Sequence, residues 1–379
     1  MSKTLTTAAI LLFTNLGVGA GTEVVADELS KEFSSNGYFD EIHIIQTNHM
    51  GFSDNKKRIS SQKKGEIYLD YIKSPLEWRV IKKLLRTKPL QVAFGDIIYT
   101  AIYALFNIRK IKKLTKKLDF LICLNHSDAW VWLLFKNKKT SFVISSDRGL
   151  PDSGIQKKLL QKYADTTHYL TSAQMNKYRI NTRDKFIAPN GVRSDLFLPD
   201  NINHDEAKKR FLFAGRLEEG KGLLELIETI NQLDNENWIE FFVAGTGTFE
   251  GTLKSMKNNI LNFVGYVKRE ELVRLFKTSD IFVFPSKGEP FGNVVIEAVS
   301  SGLFVLASNA LRGNFDDLEE LGALKYVDIS PENLKEEFLS LKDFKLSQEK
   351  KQEFHKYIVD NYDWSAIARR WYEGLVKIT

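Results

Sequence analysis

Four charged residues in the second half of the chain have a spacing that could do chemistry. Arg216 and Lys221 lie in Gly215-Arg-Leu-Glu-Glu-Gly220-Lys-Gly222, directly after the apolar run Arg210-Phe-Leu-Phe-Ala214. Two fixed cations on a glycine-rich loop can close on a diphosphate. The guanidinium forks onto two oxygens, the ammonium acts as a point charge, and both would stabilise charge growing on a departing diphosphate. Glu289 and Glu297 lie in Pro285-Ser-Lys-Gly-Glu-Pro-Phe-Gly-Asn-Val-Val-Ile-Glu297. A turn built from Gly288, Pro290 and Gly292 would present backbone N–H groups at a helix N-terminus, where the macrodipole favours an anion. A carboxylate cannot hold a phosphate, but it accepts hydrogen bonds from hydroxyls. Either acid alone reads as a solvated surface group. Together in this setting they fit a ligand with an anionic centre and a polyol at each end, the shape of a nucleotide-diphosphate sugar.

The elements that must position these groups are legible around them. Ile281-Phe-Val-Phe284 is an apolar run of strand length, as expected of a fully buried parallel strand. After the turn comes a helical segment with Val294, Val295, Ala298 and Val299 on its inward side. Strands alternate with helices through both halves, which predicts two doubly wound α/β domains facing a cleft. The expected boundaries are residues 1–192, a polar linker over 193–206, and a second domain over 207–358. The turn Pro189-Asn-Gly191-Val192 closes the first half, with Gly191 expected to supply a positive φ.

A chain of 379 residues can bury two cores, and 43% hydrophobic with 27% charged residues is ordinary for a soluble globular protein. One cysteine, Cys123, excludes an intramolecular disulfide and suits a reducing compartment. Six scattered histidines show no ligand spacing, so no metal is predicted. The apolar run Ala8–Phe13 reads as a first strand rather than a signal peptide. No run approaches the roughly 20 apolar residues that span a bilayer. A cytoplasmic protein is therefore expected, with peripheral attachment to the inner face of the membrane as an option.

The net charge of +6 needs a reason. Over residues 79–117, Arg79, Lys82, Lys83, Arg86 and Lys88 precede the apolar Ile97–Phe106, and Arg109, Lys110, Lys112, Lys113, Lys116 and Lys117 follow it. Basic helices with interleaved aromatics suit an anionic membrane surface. A core helix between two solvated basic faces is the competing reading, and nucleic acid is not the expected partner.

Two further clusters stand at predicted strand ends in the first half. Gly17-Val-Gly19-Ala-Gly21 would let backbone approach a ligand, although the G-x-G-x-x-G spacing of a dinucleotide fingerprint is not met. Asn125-His126-Ser127-Asp128 follows the apolar Asp119–Leu124, where open α/β sheets place ligands. Asp147 and Arg148 follow the next strand and read either as acceptor contacts or as loop polar groups.

The segment P-S-x-x-E-P-F-G-x-x-x-x-E-A resembles the donor-site signature of glycosyltransferase family 4, retaining and metal-independent enzymes of the GT-B fold. Gly215–Gly222 is similar to the family's G-R-L-x-x-x-K-G, and Pro189–Val192 to its P-N-G-V. The resemblance covers nearly all of the second half through several ordered motifs, and less of the first. It implies a retaining hexosyltransferase acting from a nucleotide-diphosphate sugar, UDP ahead of GDP, onto a glycan or lipid-linked acceptor, without another cofactor. It places Arg216 and Lys221 on the diphosphate, Glu289 at the sugar hydroxyls, Glu297 at the ribose, and backbone of Phe291, Gly292 and Asn293 along the donor. His126 would lie near the transferred sugar, and Gly17, Gly19 and Gly21 would face the diphosphate and acceptor. Val267 falls in the segment that lines the base, and residues 359–379 resemble the closing helix that crosses back to the first domain. The sequence departs from the family at Phe304 and at Arg312-Gly-Asn314, which affects the shape of the donor pocket. A nucleotide-sugar epimerase of the same fold, or a non-catalytic basic binding protein, are the alternatives.

Overall fold

A computed structural model describes residues 7–12, 21–47, 66–72, 88–124, 129–146, 154–199 and 207–377. The chain forms two compact units, one of Met1–Asn190 with Ile367–Thr379, the other of Gly191–Ala366. Of the expected linker 193–206, Ser194–Leu196 is a 3-10 turn and residues 200–206 lie outside the described part.

The first unit is built on seven parallel strands: β1 (Thr7–Leu12), β2 (Glu41–Thr47), β3 (Glu66–Ile72), β4 (Phe120–Cys123), β5 (Ser141–Ser145), β6 (Thr166–Tyr169) and β7 (Asp184–Ile187). Their order is β3-β2-β1-β4-β5-β6-β7, so the winding reverses between β1 and β4. Helices Gly21–Ser35, Lys88–Thr115, Ala129–Phe135, Gly154–Tyr163 and Ser172–Tyr178 connect them. Phe120, Leu121, Ile122 and Cys123 are all fully buried, as a strand covered on both faces requires. Gly17, Gly19, His126, Asp147 and Arg148 lie outside the described residues. Gly21 opens its helix and is exposed.

One histidine of this unit is structural. His168 packs on Trp371 with the rings tilted by 31°, its Nε2 lies 2.7 Å from the Ala188 carbonyl and its Nδ1 2.9 Å from the Ser145 hydroxyl. Nε2–H therefore donates while Nδ1 accepts, and full burial holds the ring neutral, with its pKa lowered to about 3.

The second unit carries six parallel strands: β8 (Lys209–Ala214), β9 (Ile239–Ala244), β10 (Leu261–Gly265), β11 (Ile281–Phe284), β12 (Phe304–Ser308) and β13 (Leu324–Val327). Their order is β10-β9-β8-β11-β12-β13, so here the reversal falls between β8 and β11. Phe211, Phe213, Phe241, Val243, Ile281 and Val283 alternate inward and pack on Leu223, Leu226, Ile230 and Phe338. Strand ends differ from the sequence expectation by a residue or two, because frayed ends carry little hydrophobic signal.

Two local expectations are corrected. The inward face of the helix Asn293–Ser300 is Val295, Ile296, Ala298 and Val299; Val294 is only half-buried. Gly191 is absent from the positive-φ glycines. Its constraint is space, since a Cβ there would sit 2.4 Å from the Trp364 ring. Trp364 is held close because Val192 bridges Asp363 and donates to the Tyr362 carbonyl at 2.8 Å. Asp363 also breaks the C-terminal run into Gln348–Tyr362 and Trp364–Val376, and accepts from the Ser194 hydroxyl at 2.5 Å.

Gly191→Ala should therefore lower the melting temperature, since overpacking typically costs about 1–3 kcal/mol. A variant melting within about a degree of the parent would show that the ring moves aside freely.

Candidate active site

The loops that follow β8 and β11 meet at the point where the strand order of the second sheet reverses. In open α/β sheets this crevice at the carboxyl ends of the strands is where ligands bind. The contact is made by backbone. Gly222 has φ +71°, and a Cβ on it would lie 2.0 Å from the Pro285 carbonyl oxygen. The Lys287 N–H donates to the Gly220 carbonyl at 3.0 Å, and Lys287 Nζ pairs with Glu225 at 2.8 Å. Each loop then opens a helix, Leu223–Gln232 after Gly222 and Asn293–Ser300 after Gly292. Both begin on a left-handed glycine without a side-chain cap, so no cap side chain stands between the helix N-terminus and a ligand.

This geometry brings Lys221 and Glu289 together: Nζ and Oε1 form an ion pair with side chains only 15% and 19% exposed. The sequence places them on different parts of a ligand, and nothing in it shows their mutual contact. Burial, and next the Arg216 guanidinium, pull the Lys221 ammonium below its usual pKa, with Glu218 opposing. Arg216 itself is 70% exposed and pairs with Glu218 at 2.9 Å.

Glu297 sits in the helix that follows the second loop. Burial pushes its carboxyl up to about 7, and Arg269 opposes this weakly, 3.9 Å away. Arg269 was not singled out by sequence reasoning. It stands in the first turn of the ordinary charged helix Arg269–Lys277, and only the tertiary contact marks it.

The backbone around Glu289 is also held from the loop that follows β12. Asn314 Nδ2 donates to the carbonyls of Glu289 and Phe291, at 3.4 Å each, and Phe291 is buried with its ring 5.0 Å from that of Phe315. Arg312-Gly-Asn314, the segment that departs from the family pattern, thus supports the turn that carries Glu289. Val267 is half-buried beyond β10, next to Tyr266, which is 74% exposed. Among the described residues no group of three or more His, Cys, Asp or Glu is placed to hold a metal ion.

Comparison with known proteins bears on this arrangement. Residues 196–359 match the family model "Glycosyl transferases group 1". A probable sucrose-phosphate synthase of Thermosipho melanesiensis is 26% identical over 58% of this chain and 56% of its own length. The chain spans between 29% and 56% of the length of the first four curated relatives it matches. A glycosyltransferase structure from Rickettsia africae superimposes with a TM-score of 0.71 at 16% identity, covering 99% of both chains. The Anabaena protein HepE in complex with UDP gives 0.68 at 15% identity, over 98% of this chain and 100% of that one.

The fold is GT-B. Two parallel Rossmann-like sheets of seven and six strands, each with one reversal of winding, carry it.

Two measurements follow from the site. Gly222→Ala combines a strained φ with a blocked contact, each about 1–3 kcal/mol, and should melt several degrees lower; unchanged melting would mean the loops do not touch. For Glu297 the folded pKa lies above the unfolded value, so its stabilising effect is complete at acid pH and is lost as pH rises from about 4.5 towards 7. Glu297→Gln should match the parent near the acid end and exceed it at higher pH, by up to about 3 kcal/mol. A melting difference that does not vary with pH would contradict the burial of that carboxyl.

Proposed function

We propose that this chain is a retaining glycosyltransferase that moves a hexose from a nucleotide-diphosphate sugar to a hydroxyl acceptor. The observation that carries the reading is the convergence of Arg216, Lys221, Glu289 and two uncapped helix N-termini at the β8/β11 reversal. The diphosphate takes the two cations, displacing Glu289 from Lys221. The freed carboxylate then accepts hydrogen bonds from the sugar hydroxyls, and Glu297 does the same for the ribose. Phe291, Gly292 and Asn293 border the donor with backbone, and Val267 lies by the base.

As the sugar–oxygen bond breaks, charge grows on the leaving diphosphate. Arg216 and Lys221 stabilise it from fixed positions, which is more effective than in water because little reorganisation is needed. With two cations in place, the reaction is proposed to run without a metal ion. The acceptor hydroxyl attacks from the face the leaving group departs from and passes its proton to the departing phosphate oxygen, so no protein nucleophile is assigned and Glu289 is not one. His126 and the glycines at 17, 19 and 21 are assigned to the sugar and acceptor side. A UDP-sugar is the favoured donor, supported by the UDP bound to the HepE neighbour. The acceptor is a glycan or a lipid-linked glycan, and the proposed location is the cytoplasm.

A thermal-shift screen with UDP, GDP, ADP and NAD tests this. At about a hundred times its dissociation constant, a ligand should add about 2.7 kcal/mol of stability. UDP should raise the melting temperature, and NAD should not. A response to NAD alone, or to none of the four, would overturn the reading.

A further inference from the structure

One face of the helix Lys88–Thr115 has no role in the site. Among the described large hydrophobic residues only Tyr266, Phe106 and Leu105 are more than half exposed, and the last two, at 72% and 71%, are neighbours on this helix. Arg109, Lys110, Lys112 and Lys113, with Lys116 and Lys117 in the turn that follows, are exposed as well. At about 100° per residue these eight side chains share an arc of about 160°. The opposite arc is buried through Tyr103, Ala104, Ile111, Thr115 and Leu118. From Ile97 to Leu118 the sequence contains no acidic residue.

We propose that this face docks the protein on an anionic lipid bilayer, with Leu105 and Phe106 entering the headgroup boundary and the six cations meeting lipid phosphates. The stripe has the two parts such a surface recognises: a bulky apolar end, then about two and a half turns of cations. Lys112 Nζ lies over the Phe135 ring, 6.0 Å from its centre, at the edge of this face. Nucleic acid would use the cations, but an exposed aliphatic Leu105 offers it nothing. Among the described residues no helix is long and apolar enough to cross a membrane, so this one lies along the surface. The inference stands apart from sugar transfer, because docking requires no donor.

The test is co-sedimentation of the full chain with phosphatidylcholine vesicles, with and without phosphatidylglycerol, in the absence of nucleotide. Binding is expected only with the anionic lipid. A Leu105→Ser, Phe106→Ser double variant and a Lys112→Glu, Lys116→Glu double variant should each bind at least about tenfold more weakly, with melting unchanged. Raised salt should weaken the parent's binding. Equal binding to both vesicle types, no binding to either, or full binding by both variants would overturn the proposal. Tight binding to duplex DNA that ignores Leu105 and Phe106, without vesicle binding, would overturn it in favour of nucleic acid.

Discussion

The approach of the Gly222 backbone to the Pro285 carbonyl is the constraint on which the second unit's site depends. A left-handed φ and a separation that admits no Cβ allow the loops after β8 and β11 to lie one on the other. The Lys287 N–H to Gly220 carbonyl bond and the Lys287–Glu225 pair then fasten them. Two helix N-termini come to open side by side, and Lys221 is carried onto Glu289. None of these contacts survives if the loops stand apart by the width of a methyl group.

The charges of the site check one another in the free protein. Lys221 pairs with Glu289, Arg216 with Glu218, and Arg269 lies near Glu297. A mostly buried ion pair is costly to form and costlier to leave half-made, so neither partner can be removed without a replacement. Under the proposed function, a ligand with an anionic centre and hydroxyl ends would replace both at once, offering phosphate to Lys221 and hydroxyls to Glu289. The proposed function gives this exchange a purpose: the cations engage where charge develops, and the carboxylate is released to orient the sugar.

Much of this was legible in the sequence. Continuous apolar runs bounded by Gly, Pro and Asp mark buried parallel strands because both their faces are covered, and the alternation with helices sets the class of fold. Arg216, Lys221, Glu289 and Glu297 could be picked out as candidates because two cations on one glycine-rich loop and two acids around another turn make a pattern that none of them makes alone. Pairing was not legible. Lys221 and Glu289 meet only through strand order, which local pattern does not encode. Arg269 looks like any charge on a solvated helix. Gly191 was read as a turn glycine by its neighbours in sequence, whereas its actual constraint is the Trp364 ring, far along the chain. Asn314, where the sequence departs from the family, proved to support the Glu289 turn from outside the motif.

The central claim is that a diphosphate displaces Glu289 from Lys221, and calorimetric titration with UDP tests it most directly. Lys221→Met should weaken UDP binding about tenfold or more, since it removes a charge-assisted contact. Glu289→Gln should bind UDP as tightly as the parent or more tightly, because the competing carboxylate is gone, while losing sugar transfer. If Glu289→Gln weakened UDP as much as Lys221→Met, the two residues would act together in holding the nucleotide, and the exchange would be contradicted.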